Sequence, residues 1–140
     1  MTLNVIHENN KLCKACSLRA GCSQVVIGRG NPNAKFVFIG EAPGQDEDLQ
    51  GEPFVGRSGK LLTKLLTDAG MNLGETYITN TVKCRPPQNA TPTQFHVDTC
   101  KVWLWQEIRA VQPKAIVTVG RIPTSLMIKS SGKTPMNKLV

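Results

Sequence analysis

Apolar and polar residues recur along the chain with two different periods, and the switch between them predicts its elements. Residues 36–39, Phe-Val-Phe-Ile, form a short continuous apolar run stopped by Gly40, the pattern of a buried strand. Residues 58–69 set Leu61, Leu62, Leu65 and Leu66 along one helical face, with Gly70 where a helix favours a left-handed terminator. Residues 76–79, Thr-Tyr-Ile-Thr, are rich in β-branched and aromatic side chains and predict a second strand. A second helix is expected over 93–111, where Val97, Val102, Leu104, Trp105 and Ile108 precede the stop at Pro113. A third strand at 115–119 ends on Gly120, and a short helix follows at 123–129. Strands alternating with helices predict an α/β layered sheet joined by right-handed crossovers.

Residues 1–32 break this rhythm. They are polar and cysteine-bearing, and close on Gly28-Arg-Gly-Asn-Pro32, so they are expected to form an N-terminal flap on a core at 33–140 within one domain. A flap with so little core of its own would be held down by a metal or cluster. At 140 residues and 40% hydrophobic content the chain can fill one core. No run approaches the roughly 20 apolar residues of a membrane span. The start, Met1-Thr-Leu-Asn-Val-Ile, lacks the order of a signal peptide, so a cytoplasmic protein is expected. In that reducing setting the 5 cysteines are ligands or buried thiols and not disulfides.

Charge adds a partner. Lys and Arg number 17 against 10 Asp and Glu, a net +7 and a pI near 9.4, which favours a polyanion over a neutral ligand. A basic protein with no such partner is the plainer alternative. Lys83 and Arg85 bracket Cys84, while Arg57 and Lys60 follow an acidic loop.

The loops carry the chemistry. Ligands of open parallel sheets bind beyond the carboxyl ends of strands, where Gly40-Glu-Ala-Pro-Gly44 leaves the first strand and Asn80 leaves the second. Two neighbouring exits would form one pocket, although a tight loop and a solvated Asp46-Glu47-Asp48 surface explain the same residues without a site. The loop matches neither the dinucleotide nor the triphosphate glycine pattern, and its acidity would repel phosphates. With only His7 and His96 present, no serine or cysteine triad is suggested, and His96 is a surface residue or an auxiliary ligand near Cys100. Phe54, in the Gly/Pro-framed segment 51–56, is either a core plug or a platform for a base. Asn80 either caps a turn or reads a ring edge through its amide. Cys13-x-x-Cys16 has chelate spacing, and the Arg85-Pro86-Pro87 bend can bring Cys84 and Cys100 together. Four thiolates suit zinc or an iron–sulfur cluster, and Cys22 is left as the odd thiol.

Taken in order, Gly40-Glu-Ala-Pro-Gly44, Glu47-Asp48, Pro53-Phe-Val-Gly56, Tyr77-Ile-Thr-Asn80, Val82-Lys-Cys-Arg-Pro-Pro87 and the two cysteine pairs resemble the type 4, iron–sulfur uracil-DNA glycosylases from about residue 10 to 120. The resemblance implies a three-layer α/β/α fold with a central, mainly parallel sheet. It implies a [4Fe–4S] cluster on Cys13, Cys16, Cys84 and Cys100, with a structural role. It also implies that Phe54 stacks on a flipped uracil, that Asn80 bonds the base edge, and that Glu41 serves the sugar side with Gly40 and Ala42 beside it. Asp48 is a further candidate for positioning water, and Arg57, Lys60, Lys83 and Arg85 for holding phosphates. The expected activity is hydrolysis of the N-glycosidic bond of uracil in DNA during base-excision repair, by a monomer.

Two departures modify that expectation. The family's later histidine segment, which stabilises the leaving uracil, does not occur before Leu139-Val140, so a fragment or shortened form with a sheet incomplete at its C-terminal end is expected. Asn89-Ala90 stands where the family often has Asn-Arg, removing a phosphate contact. The alternatives are a non-catalytic iron–sulfur DNA-binding module, a segment of a larger replication or repair protein, and a zinc-stabilised interaction domain.

Overall fold

The structure is a computed structural model that describes residues 2–130. Met1 and the C-terminal Leu139-Val140, on which the expectation of a shortened sheet rests, lie outside the described residues. Four strands, β1 (Arg29–Gly30), β2 (Phe36–Gly40), β3 (Thr76–Asn80) and β4 (Ala115–Thr118), form one sheet in the order β1-β3-β2-β4. Strand β2 runs parallel to both β3 and β4, whereas the two-residue β1 is antiparallel to β3. The sheet is thus α/β and mainly parallel, with an antiparallel edge that the sequence pattern did not reveal. Central strands of such sheets are covered on both faces. Accordingly Val37, Phe38, Ile39, Tyr77 and Ile78 are buried.

Among the described residues six α-helices surround it: α1 (Leu3–Lys11), α2 (Leu18–Gly21), α3 (Gln45–Gln50), α4 (Arg57–Asp68), α5 (Gln94–Val111) and α6 (Arg121–Ser130). Helix α5 starts at Thr93, whose Oγ1 accepts the His96 amide hydrogen, and buries Val97, Cys100, Leu104, Glu107 and Val111 at helical spacing. Val102, expected on that stripe, is exposed. Helix α4 departs further from expectation. Leu62 and Leu66 are half-buried, but Leu61 and Leu65 stay exposed, and the residue that α4 buries is Gly59, against the backbone of Phe54.

The N-terminal residues are also more than a flap. Thr2 caps α1, and Leu3 and Ile6 are buried as the helix packs against α5. Leu18, Val25 and Val26 add further buried apolar surface, so this segment shares the core directly.

Candidate active site

Strands β2 and β3 are adjacent, parallel and in a register that pairs Gly40 with Asn80, so both loop exits emerge side by side. Beyond the strands the backbones remain joined, with Thr81 N donating to Gly40 O at 2.8 Å and Val82 N to Glu41 O at 3.0 Å. The loops above enclose a cleft of about 270 Å³, with Glu41, Ala42, Pro43 and Gly44 on one wall and Phe54, Ser58 and Gly59 on another. Asn80 lies in its lining, and Pro86, Asn89, Ala90, Thr91 and Pro92 close the remaining side.

Gly40 sets how narrow this cleft is. A Cβ there would lie 2.5 Å from Asn80 Oδ1 and 2.5 Å from Phe54 Cζ, so only glycine lets the ring and the amide approach the same patch of backbone. Asn80 is 4% exposed, and among the described residues its side-chain amide makes no protein hydrogen bond. Its donor and acceptor open into the cleft and are left for whatever enters it. Glu41 reaches across to the end of β4, where its Oε2 accepts from Arg121 N at 3.1 Å and packs on Gly120.

Two expected site residues are placed elsewhere. Asp48 is 5% exposed and does not line the cleft, because it turns inward to accept the Ser23 amide hydrogen at 2.9 Å. Its neighbour Glu47 takes the cleft side instead. Glu47 Oε1 accepts from Gly44 N at 2.9 Å, and its Oε2 from Val55 N at 3.0 Å and Gly56 N at 2.7 Å. The acidic run is the first turn of α3, where carboxylates suit the helix N-terminus. Lys83 is the second correction. It is 1% exposed and ion-paired with Glu107, itself 2% exposed, so it cannot reach a phosphate. Lys83 Nζ also donates to Thr79 Oγ1 at 2.5 Å and to Asn80 O at 2.6 Å, fixing the end of β3 beneath the cleft. Arg57 and Lys60 are exposed at the start of α4, and Arg85 is half-buried with its Nε on Asn89 Oδ1 at 2.8 Å.

The Lys83–Glu107 pair belongs to a longer buried chain. Tyr77 Oη donates to Glu107 Oε2, and Thr79 Oγ1 donates to the same carboxylate. Because the one phenolic proton is committed there, His7 Nε2 must donate in the 2.8 Å contact with Tyr77 Oη. Burial, then the Glu107 charge, push the Tyr77 phenol far above its ordinary range. Burial lowers the His7 pKa, with Glu107 opposing and Lys83 and Lys11 assisting.

Behind this chain lies a second cavity. Cys13, Cys16, Cys84 and Cys100 all line one small cavity with Val25 and Val82, although among the described residues no side chains are drawn into a ready metal-binding group. The donor chemistry fits a thiophilic metal or cluster. Asn10 lines the same cavity, 2% exposed, and its Nδ2 has no partner among the described residues, a spare donor beside sulfur. Lys83 N also donates to Cys100 Sγ at 3.3 Å. Burial pushes the Cys100 thiol up to about 11 and the Cys84 thiol higher still, with nearby Cys22 adding to the latter. Buried thiols of this kind ionise when a cation is present to compensate them. Cys22 does not line the cavity and donates to Gln24 O at 3.5 Å and Arg19 O at 3.6 Å.

The sequence is similar to known proteins along most of its length. Residues 27–138 match the uracil DNA glycosylase superfamily. The chain belongs to that superfamily. Within it the likeness is to the type-4 group. The chain is 49% identical over 109 residues to the type-4 uracil-DNA glycosylase of Archaeoglobus fulgidus, covering 78% of this chain and 55% of that protein. It is 42% identical to the Thermotoga maritima enzyme of the same name, covering 90% of this chain and 66% of the relative. The type-4 enzyme of Pyrobaculum aerophilum is 39% identical, with 95% and 68% covered. The chain thus spans less than two thirds of the first two relatives' length. No helix among the described residues of this glycosylase-superfamily chain is long and apolar enough to cross a membrane.

Proposed function

We propose that this chain excises uracil from DNA by hydrolysing its N-glycosidic bond, as its type-4 relatives' names state for them. The observation that carries the reading is the Asn80 amide, buried at the cleft and free of protein partners, with the Phe54 ring beside it over Gly40. A base flipped from the stack enters this cleft, at an unstacking cost on the order of a few kcal/mol. Phe54 stacks on its face, and Asn80 donates to and accepts from its edge in an order that uracil satisfies and cytosine reverses. As the bond between C1′ and N1 breaks, its electron pair leaves with uracil and positive charge develops on the sugar. Glu41, at the mouth, faces that charge and orients the water whose oxygen joins C1′. The water's protons end on the 1′-hydroxyl and on uracil. Arg57, Lys60 and Arg85 hold the phosphate backbone.

Cys13, Cys16, Cys84 and Cys100 would hold a [4Fe–4S] cluster, which when bound ties the N-terminal segment and the residues after Asn80 to the sheet. Brown protein with iron and sulfide supports the cluster; colourless protein with stoichiometric zinc sinks it. The excision reading is tested by incubating the chain with a uracil-containing oligonucleotide and cleaving abasic sites with alkali. Strand breaks that vanish in Asn80→Ala and Glu41→Ala are expected. Uracil-independent binding with no breaks would instead favour a binding module.

A further inference from the structure

Phe54 is a bulky residue held at a φ of 55°, in the left-handed region that side chains of its kind avoid. Three groups hold it there. Arg29, in β1, donates from Nε to Pro53 O at 3.0 Å and from Nη2 to Phe54 O at 3.3 Å. Glu47 accepts the next two amide hydrogens, from Val55 and Gly56. Gly59 passes so close that a Cβ on it would stand 1.8 Å from Phe54 O. A cation thus grips the carbonyls and an anion the amides of one four-residue bend. Strain of this type persists where the surroundings over-determine it, and here the strained residue's ring meets Gly40 beside Asn80.

We propose that Arg29 is a positioning residue for base recognition: with Glu47 as its counterpart, its guanidinium fork holds Phe54 in the left-handed conformation that sets the ring's height over Gly40 and Asn80. The slot for a flat base is then fixed before the base arrives. A planar fork bridges two successive carbonyls, which a single ammonium does not reproduce. This role rests on the excision reading, but the backbone clamp beneath it does not.

The test uses the full chain and a labelled single-stranded oligonucleotide carrying either uracil or thymine at one position. Arg29→Met should lower the preference for uracil on the order of tenfold, as misplaced recognition groups do. Arg29→Lys should not restore it, and the loss should persist at high salt. Restoration by lysine, or a loss confined to low salt, would make Arg29 a phosphate contact and overturn the proposal. Amide hydrogen exchange gives a readout independent of uracil. Arg29→Met should speed exchange at Val55 and Gly56 while Val37 and Ile78 in the sheet keep their protection, which also shows that the variant is folded. Unchanged protection at Val55 and Gly56 overturns the clamp. A wild-type chain with no uracil preference overturns the assignment to base recognition, and the exchange measurement then still decides whether Arg29 holds Phe54.

Discussion

Replacing Lys83 with methionine removes the cation from the most buried ion pair in the described structure. Glu107 would be left 2% exposed, with only the Tyr77 and Thr79 hydroxyls donating to its carboxylate. Removing one partner of a buried pair costs about 3–5 kcal/mol, and the two surviving hydroxyl donors place the expected loss at the lower end. Against a total stability of roughly 5–15 kcal/mol for a domain this is a large share. At about 2–4 °C per kcal/mol, the midpoint should fall by roughly 6–12 °C. The double variant Lys83→Met with Glu107→Gln keeps acceptors for both hydroxyls without a buried net charge, and should recover much of the loss. Thermal and urea unfolding followed by far-ultraviolet circular dichroism measures both. A single-variant loss below about 1 kcal/mol, the value of an exposed pair, would refute the reasoning. A double variant less stable than the single would refute it equally.

Two further outcomes follow from the same geometry. Gly40→Ala should abolish uracil binding while the protein stays folded, because the new methyl occupies the space between Phe54 Cζ and Asn80 Oδ1; retained binding in a fluorescence titration would contradict the cleft described. His7 has its pKa lowered by burial, so the unfolded chain binds the extra proton first. Its contribution to stability is full above the ordinary value of 6.5 and declines as pH falls below it towards the folded value. Urea midpoints measured down that range should fall less steeply in His7→Gln than in the wild type.

The site was legible where its signal was local. The apolar run ending at Gly40 and the strand ending at Asn80 each announced an exit, and parallel neighbours place two exits at one edge. The spacing of the four cysteines and a proline bend suggested that they come together, and they line one cavity. Lys83 was misread because a lysine two residues from Arg85 reads as part of a basic loop, while its partner Glu107 stands far along the chain in α5. The signal was present on the partner's side: Val97, Cys100, Leu104, Glu107 and Val111 follow helical spacing, so a glutamate lies in a buried stripe and requires a cation or donors. Asp48 and Glu47 could not be told apart, because adjacent helical residues point about 100° from each other and only the direction of α3 decides which faces the cleft. Helix α1 was hidden by its polar run His7-Glu-Asn-Asn, although Thr2 as cap with Leu3 and Ile6 three apart marked it. Arg29 left no local trace, since the carbonyls it bonds lie more than twenty residues away in a bend that β1 brings alongside.

The central claim is that the cleft over Gly40 takes uracil from DNA and releases it through the agency of Asn80 and Glu41. Chromatography of free base released from a uracil-containing oligonucleotide measures this directly. The account predicts free uracil from the wild-type chain, none from an otherwise identical thymine or cytosine strand, and loss of release in Asn80→Ala and Glu41→Ala. Release that persists in Asn80→Ala, or equal release from cytosine, would contradict it.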